Sequence, residues 1–164
     1  MSERNNLWAP WRMQYIREIE KNLQGHKSCI FCDKKEADDK SSYVVFRGKS
    51  SFVMLNIYPY NNGHLLFAPY AHVPDMDDLN REDVWEIFEC INRYKKKIKD
   101  KMNCDGFNFG CNLGRTAGAG CEEHVHFHLV PRWNGDTNFM PIIGDTKVIP
   151  QSLEKVWEML YEKG

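Results

Sequence analysis

Residues 124–133 read HVHFHLVPRW, and three of the chain's six histidines fall in it on alternate positions, 124, 126 and 128. Val125, Phe127, Leu129 and Val130 supply β-branched and apolar partners, so the stretch reads as a strand of period two. Side chains at i, i+2 and i+4 of a strand line one face, roughly 6.5–7 Å apart. One face is therefore imidazole and the other hydrocarbon. A core has little use for three such rings in a row, because each needs a polar partner or water once buried.

Two chemistries suit the pattern. A His-x-His pair on a strand can present two imidazoles to one zinc ion. Alternatively, one imidazole attacks a phosphorus while its neighbours hold the phosphate oxygens. The flanking residues favour phosphorus. Just upstream, NLGRTAGAG (112–120) places glycines at 114, 118 and 120, where backbone N–H groups can approach an anion closely. No Gly-Lys-Ser/Thr follows, so this is not a Walker loop. Arg115 and Arg132 flank the segment and could meet phosphate charge.

Working outward, YVVFRGKSSFVMLN (43–56) carries two short strands around a Gly-Lys-Ser turn. HLLFAP (64–69) follows as a third strand after the turn IYPYNNG. NREDVWEIFECINRYKKKIKDKM (80–102) is the long helix, with Val84, Ile87, Phe88, Ile91, Tyr94, Ile98 and Met102 forming one apolar stripe. Asn80 is its cap, and its lysine-rich end is a solvated face that complements the helix dipole. GFNFGCNL (106–113) pairs as a hairpin with the histidine strand, and a last helix starts after Pro150 and runs through SLEKVWEMLYEK. Strands, helix, strands, helix predict an α+β fold, an antiparallel sheet with helices on one face.

The chain's 164 residues suit one compact domain, split into a Trp-rich arm over 1–27 (with Trp8 and Trp11) and a body over 28–164. A net charge of −1 gives no electrostatic case for a nucleic-acid or anionic membrane partner. No apolar run reaches the ~18 residues of a spanning helix, and MSERNNLWAPWR lacks a signal peptide's apolar core, so a cytoplasmic protein is expected. The six cysteines (29, 32, 90, 104, 111, 121) are then mostly thiols. Cys29 and Cys32 have zinc-knuckle spacing, but a lone pair is also compatible with a redox motif or two buried thiols. Cys121, in the glycine loop, is the thiol to watch for reactivity.

The alternation His-φ-His-φ-His-φ-φ over 124–130 resembles the signature of the histidine triad (HIT) nucleotide hydrolases and transferases, and the resemblance extends over roughly 28–133. PRWNGDTNFMP (131–141), KVIPQSLE and LWAPWRMQYI look like the branch that includes diadenosine tetraphosphate phosphorylases. The resemblance implies a five-stranded antiparallel sheet with two main helices, a homodimer, and cleavage of an adenine nucleotide or dinucleoside polyphosphate at its α-phosphate. Alternatives are an adenosine phosphoramidate hydrolase and a zinc-stabilised nucleotide-binding or adaptor protein without turnover.

By the same resemblance, His126 is the nucleophile that takes up the nucleotidyl group. His128 sits against the transferring phosphoryl oxygens, and His64 supports the triad from a neighbouring strand. Asn56 matches the ribose contact, and Asn112, Gly118 and Gly120 the phosphate-loop contacts. The loop from Asn112 to His124 is one residue longer than in the shorter family members. Relatives that begin with the CIFC segment bind a structural zinc through four ligands, which here are Cys29, Cys32, His72 and His124. No organic cofactor is implied.

Overall fold

The structure, a computed structural model, describes residues 29–138, 140–143 and 146–163. The Trp-rich arm lies outside the described residues. The larger of two compact units comprises Ser28–Thr137 and Ile149–Gly164. Of the other, the described part includes one short helix, Met140–Ile143, whose first N–H is capped by the Asn138 side chain at 2.9 Å.

The larger unit holds a five-stranded sheet in the order β1-β2-β3-β5-β4, every neighbouring pair antiparallel. Its strands are β1 (Val44–Arg47), β2 (Ser51–Leu55), β3 (Leu65–Pro69), β4 (Gly106–Cys111) and β5 (Phe127–Arg132). The helix over 81–102 is α1; the short helix just described is α2, and Leu153–Leu160 is α3.

Alternation within the strands sorts two cores. Val45, Val53, Leu55, Leu65, Phe67, Phe127 and Leu129 point under the helices, where they meet Ile87, Ile91, Tyr94 and Ile98 of α1 and Val156 and Leu160 of α3. Their intervening partners Val44, Phe52, Met54, Leu66 and Ala68 face the other way and close over Phe31. Burial on both faces explains why β2 and β3 read as continuous apolar runs. Fully burying side chains of this size contributes about 1.5–3 kcal/mol each.

Helix α1 starts as its sequence dictates: the Asn80 side chain accepts the Asp83 N–H at 2.9 Å. It ends at Asn103, which takes the left-handed conformation and bonds back to the Lys99 carbonyl. One member of the expected stripe departs from it. Phe88 is 42% exposed and leans edge-on against Phe109 of β4 (5.8 Å) beyond the covered core. Helix α3 is capped by Ser152 and ends at Leu160, three residues short of the expected end at Lys163.

The histidine segment also differs from its reading. The ladder begins at Phe127, so only His128 lies in a paired strand, opposite Leu66 of β3 and Gly110 of β4. Before Phe127 the chain swings away, and the Val125 N–H bonds to the Val73 carbonyl at 2.7 Å. The alternation of faces survives the change.

Candidate active site and metal centre

The β2–β3 loop delivers the first half of the site. Asn56 follows β2 and His64 precedes β3, and the Asn56 N–H bonds to the His64 carbonyl at 2.9 Å. Gly63 makes the turn possible with a φ of +73°, and a Cβ there would lie 2.9 Å from the Met102 sulfur. His64 is buried, 1% exposed. Its Nδ1 receives the Tyr60 backbone N–H at 3.1 Å and faces the Asn56 amide nitrogen at 3.3 Å. Two donors on Nδ1 make it the bare nitrogen, so the ring proton sits on Nε2. That proton points at Nδ1 of His128, 3.0 Å away. His128 in turn carries its own proton on Nε2. The Tyr60 ring covers the pair, 4.6 Å from His64 and nearly parallel to His128 at 5.8 Å.

His126 is set by a different contact. Its Nδ1 lies 3.0 Å from the His124 carbonyl, a group that only accepts, so Nδ1 carries the proton and Nε2 is a bare lone pair. The His126 and His128 rings are 4.9 Å apart. Phe31, 1% exposed, packs at 4.7 Å against His126 and 5.1 Å against His124.

Burial disfavours charge on His64 and His126. It pushes His64 down to about 3, helped by any charge on His128 and His126, and it lowers His126, partly offset by the bond to the His124 carbonyl. A base whose folded pKa lies below its unfolded one binds fewer protons in the fold. The fold is therefore at full strength above pH ~6.5 and loses stability as pH falls toward 3. The urea midpoint is expected to decline through that window, and less steeply in a His64→Gln variant measured beside the parent. Equal slopes would mean that His64 is not the group titrating.

On the other side of Phe31, Cys29, Cys32, His72 and His124 bring their ligand atoms within 4.8 Å of one another. Individual edges are 3.3 Å for Cys29 Sγ to His124 Nδ1, 3.3 Å for Cys32 Sγ to His72 Nδ1, 3.8 Å for Cys32 Sγ to His124 Nδ1 and 3.3 Å between the two Nδ1 atoms. A tetrahedral zinc with bonds of about 2.3 Å to sulfur and 2.0–2.1 Å to nitrogen has edges of roughly 3.3–3.6 Å between such ligands. The donor set fits. His124 Nε2 donates to the Pro69 carbonyl at 2.9 Å, which leaves Nδ1 bare toward the cluster. Burial keeps that ring neutral, with a pKa pushed down to about 4.

The glycine loop is a short 3-10 turn, Arg115–Ala117, after β4. Asn112 donates across it to the Gly118 carbonyl at 3.3 Å, and the Gly118 N–H bonds to the Arg115 carbonyl at 2.9 Å. Gly120 is exposed at its far end. Arg132 does not serve as a phosphate contact. Asp136 takes it through two bonds of 2.6 and 2.8 Å, Asn108 through a third, and the guanidinium holds the Asp136 carboxyl well below the usual range. Sequence reasoning missed Tyr60 and Phe31, since neither belongs to a spaced set of ligands or nucleophiles.

A HIT domain family model matches residues 37–135. The chain belongs to the HIT family. This HIT protein is 40% identical over 158 residues to an AP-4-A phosphorylase of Mycobacterium tuberculosis, covering 94% of this chain and 81% of the relative. It is 32% identical over 93 residues to a bis(5'-adenosyl)-triphosphatase of Dictyostelium discoideum, covering 57% of this chain and 62% of that one. Among solved structures, a zinc-bound histidine triad family protein from Mycobacterium smegmatis superposes with a TM-score of 0.65 at 26% identity, covering 81% of this chain and 90% of that one. These neighbours share the HIT fold described above.

Proposed function

We propose that this HIT protein cleaves dinucleoside polyphosphates such as diadenosine tetraphosphate at the α-phosphate, with His126 as nucleophile and inorganic phosphate as the second acceptor. The observation that carries the reading is the His126–His124 contact. A neutral imidazole with its proton fixed on Nδ1 offers Nε2 as a nucleophile at neutral pH, with no base needed to activate it. The activity of the 40%-identical relative supports the substrate class and the phosphorylase chemistry.

In the first step the Nε2 lone pair of His126 forms the N–P bond at the α-phosphorus. The P–O bond to the departing polyphosphate breaks, its electron pair leaving on oxygen, and ATP departs from diadenosine tetraphosphate. His128 contributes its Nε2–H where negative charge develops, held to that orientation by His64. A phosphate oxygen then attacks the same phosphorus, and His126 leaves with its electron pair, releasing ADP. Asn56 keeps one Oδ1 lone pair for a ribose hydroxyl, because the Tyr58 N–H uses the other at 2.9 Å. Asn112 and the N–H groups of Gly118 and Gly120 are assigned to the phosphates. Gly118 must then give up its bond to Arg115 when substrate binds.

Zinc at Cys29, Cys32, His72 and His124 is assigned a structural role: four protein ligands leave no open position for a bound water. Thiolate ligands suit a reducing compartment, and we place the protein in the cytoplasm.

The second copy of a homodimer is assigned to the β4 edge, whose outer backbone groups face away from the sheet, with the exposed Phe88 and Phe109 beside it. Losing a buried aromatic anchor typically costs 2 kcal/mol or more in binding, about thirty-fold in Kd. Phe109→Lys is expected to shift the protein to monomer in light scattering at concentrations where the parent is dimeric. An unchanged mass would move the interface elsewhere.

The functional reading is tested by incubating the protein with diadenosine tetraphosphate and radiolabelled phosphate. Label is expected in ADP, with ATP as co-product, and ADP formation should need phosphate. AMP and ATP formed equally well without phosphate would make the protein a hydrolase, and no cleavage at all would overturn the enzyme assignment.

A further inference from the structure

One thiol lies beside the metal cluster without belonging to its four-ligand set. Cys121 Sγ is 3.7 Å from Cys29 Sγ, although the two residues are 92 positions apart. Both are half-buried, within reach of a small solute. Cys121 closes the glycine loop and stands three residues before His124, so it links the phosphate loop to the metal ligands. Among the described cysteines, Cys90, Cys104 and Cys111 have no such thiol neighbour. Two sulfurs in van der Waals contact need only a small approach to bond, and a metal-bound thiolate is the more nucleophilic of such a pair.

We propose that Cys29 and Cys121 form an oxidation site for hydroperoxides, in which a disulfide between them replaces the Cys29–zinc bond and ejects the metal. The inference rests on the zinc reading above for the choice of Cys29 as attacking thiolate and for the loss of metal, whereas the pairing of Cys29 with Cys121 rests on their 3.7 Å separation alone. The Cys29 thiolate attacks the outer oxygen of the hydroperoxide, the O–O bond breaks, and a sulfenic acid forms on Cys29 as the alcohol leaves. The Cys121 thiol then attacks that sulfur, the S–S bond forms, and hydroxide departs. Two electrons pass from the sulfurs to the peroxide, and one thiol proton ends on the alcohol. Cys29 no longer offers a thiolate, so a four-ligand site is left with three donors. The same bond tethers the phosphate loop to the knuckle, and a thiol reductant restores both.

The test treats the zinc-loaded protein with a modest excess of hydrogen peroxide. Zinc release to a colorimetric chelator is followed beside intact mass and non-reducing peptide maps. The expected result is loss of the bound zinc, loss of two hydrogens, and one cross-linked peptide joining Cys29 to Cys121, all reversed by dithiothreitol. In a Cys121→Ser protein the cross-link is absent and Cys29 is captured as a dimedone adduct. A cross-link between Cys29 and Cys32 would overturn the proposal, as would oxidation of Cys29 to sulfinic acid in the parent without any disulfide. A protein that holds no zinc yet still forms the Cys29–Cys121 bond would overturn the zinc reading and leave the oxidation site standing.

Discussion

Replacing His126 by glycine is expected to lower kcat for diadenosine tetraphosphate by on the order of 10⁴-fold or more, while nucleotide still binds. The size of the effect follows from the ring's role. In the proposed mechanism nucleophile and leaving group in the two half-reactions are the same nitrogen, so its removal would delete the pathway rather than weaken one contact. Binding survives because the residues assigned to ribose and phosphates, Asn56, Asn112 and the glycine loop, are elsewhere. The measurement is single-turnover cleavage beside equilibrium binding of a non-hydrolysable analogue. A second arm separates chemistry from folding. Imidazole supplied in solution should restore part of the rate to the glycine variant, since the cavity left is the size of the missing ring. Turnover at the parent rate without His126 would remove the mechanism altogether. Loss of binding together with loss of rate would point instead to a collapse of the segment that leads into β5.

The second large effect is on stability. Cys32→Ser is expected to cut zinc affinity by roughly 1,000-fold, because a hydroxyl is a poor substitute for thiolate in a four-ligand shell. When free zinc is about a thousand times the parent's Kd or more, a 1,000-fold loss of affinity removes about 4 kcal/mol of linkage stabilisation. For a domain of this size that lowers Tm by about 8–16 °C. Calorimetry with metal analysis on the same samples reads both quantities. The rate should fall too. The His124 carbonyl that fixes the His126 proton belongs to the residue whose ring turns a bare Nδ1 toward the Cys29–Cys32–His72 cluster, so a loosened His124 releases the orientation of the His126 ring. An unchanged Tm at full zinc loss would mean that the knuckle closes just as well without metal.

Most of the architecture is legible in the sequence because local rules and the global fold agree. The α1 stripe, its Asn80 cap and the two-faced apolar runs of β2 and β3 each admit one arrangement. The misreadings have common physical reasons. Hydrophobic periodicity reports that a side chain can be buried, not that a neighbour is present, which is why Phe88 reads as core and stands beside an open edge. Alternation in HVHFHLV marks faces but not hydrogen-bond partners. His124 joins the cysteine cluster, as the family resemblance implied, but the ladder starts three residues late. Arg132 looked available for phosphate, although an acidic residue four positions on captures it. Long-range neighbours such as Phe31 against His126 leave no local trace.

The wiring from Tyr60 through His64 to His128 has a polarity, and it ends on a peptide N–H that cannot release its proton. A second proton on His128 would have to occupy Nδ1, facing the hydrogen that His64 already aims there. His64 could yield only by moving its own proton to Nδ1, against the Tyr60 amide. Two contacts break for each charge admitted. The arrangement is a dead end for proton traffic on the His64 side: His128 exchanges protons through Nε2, the nitrogen turned away from His64.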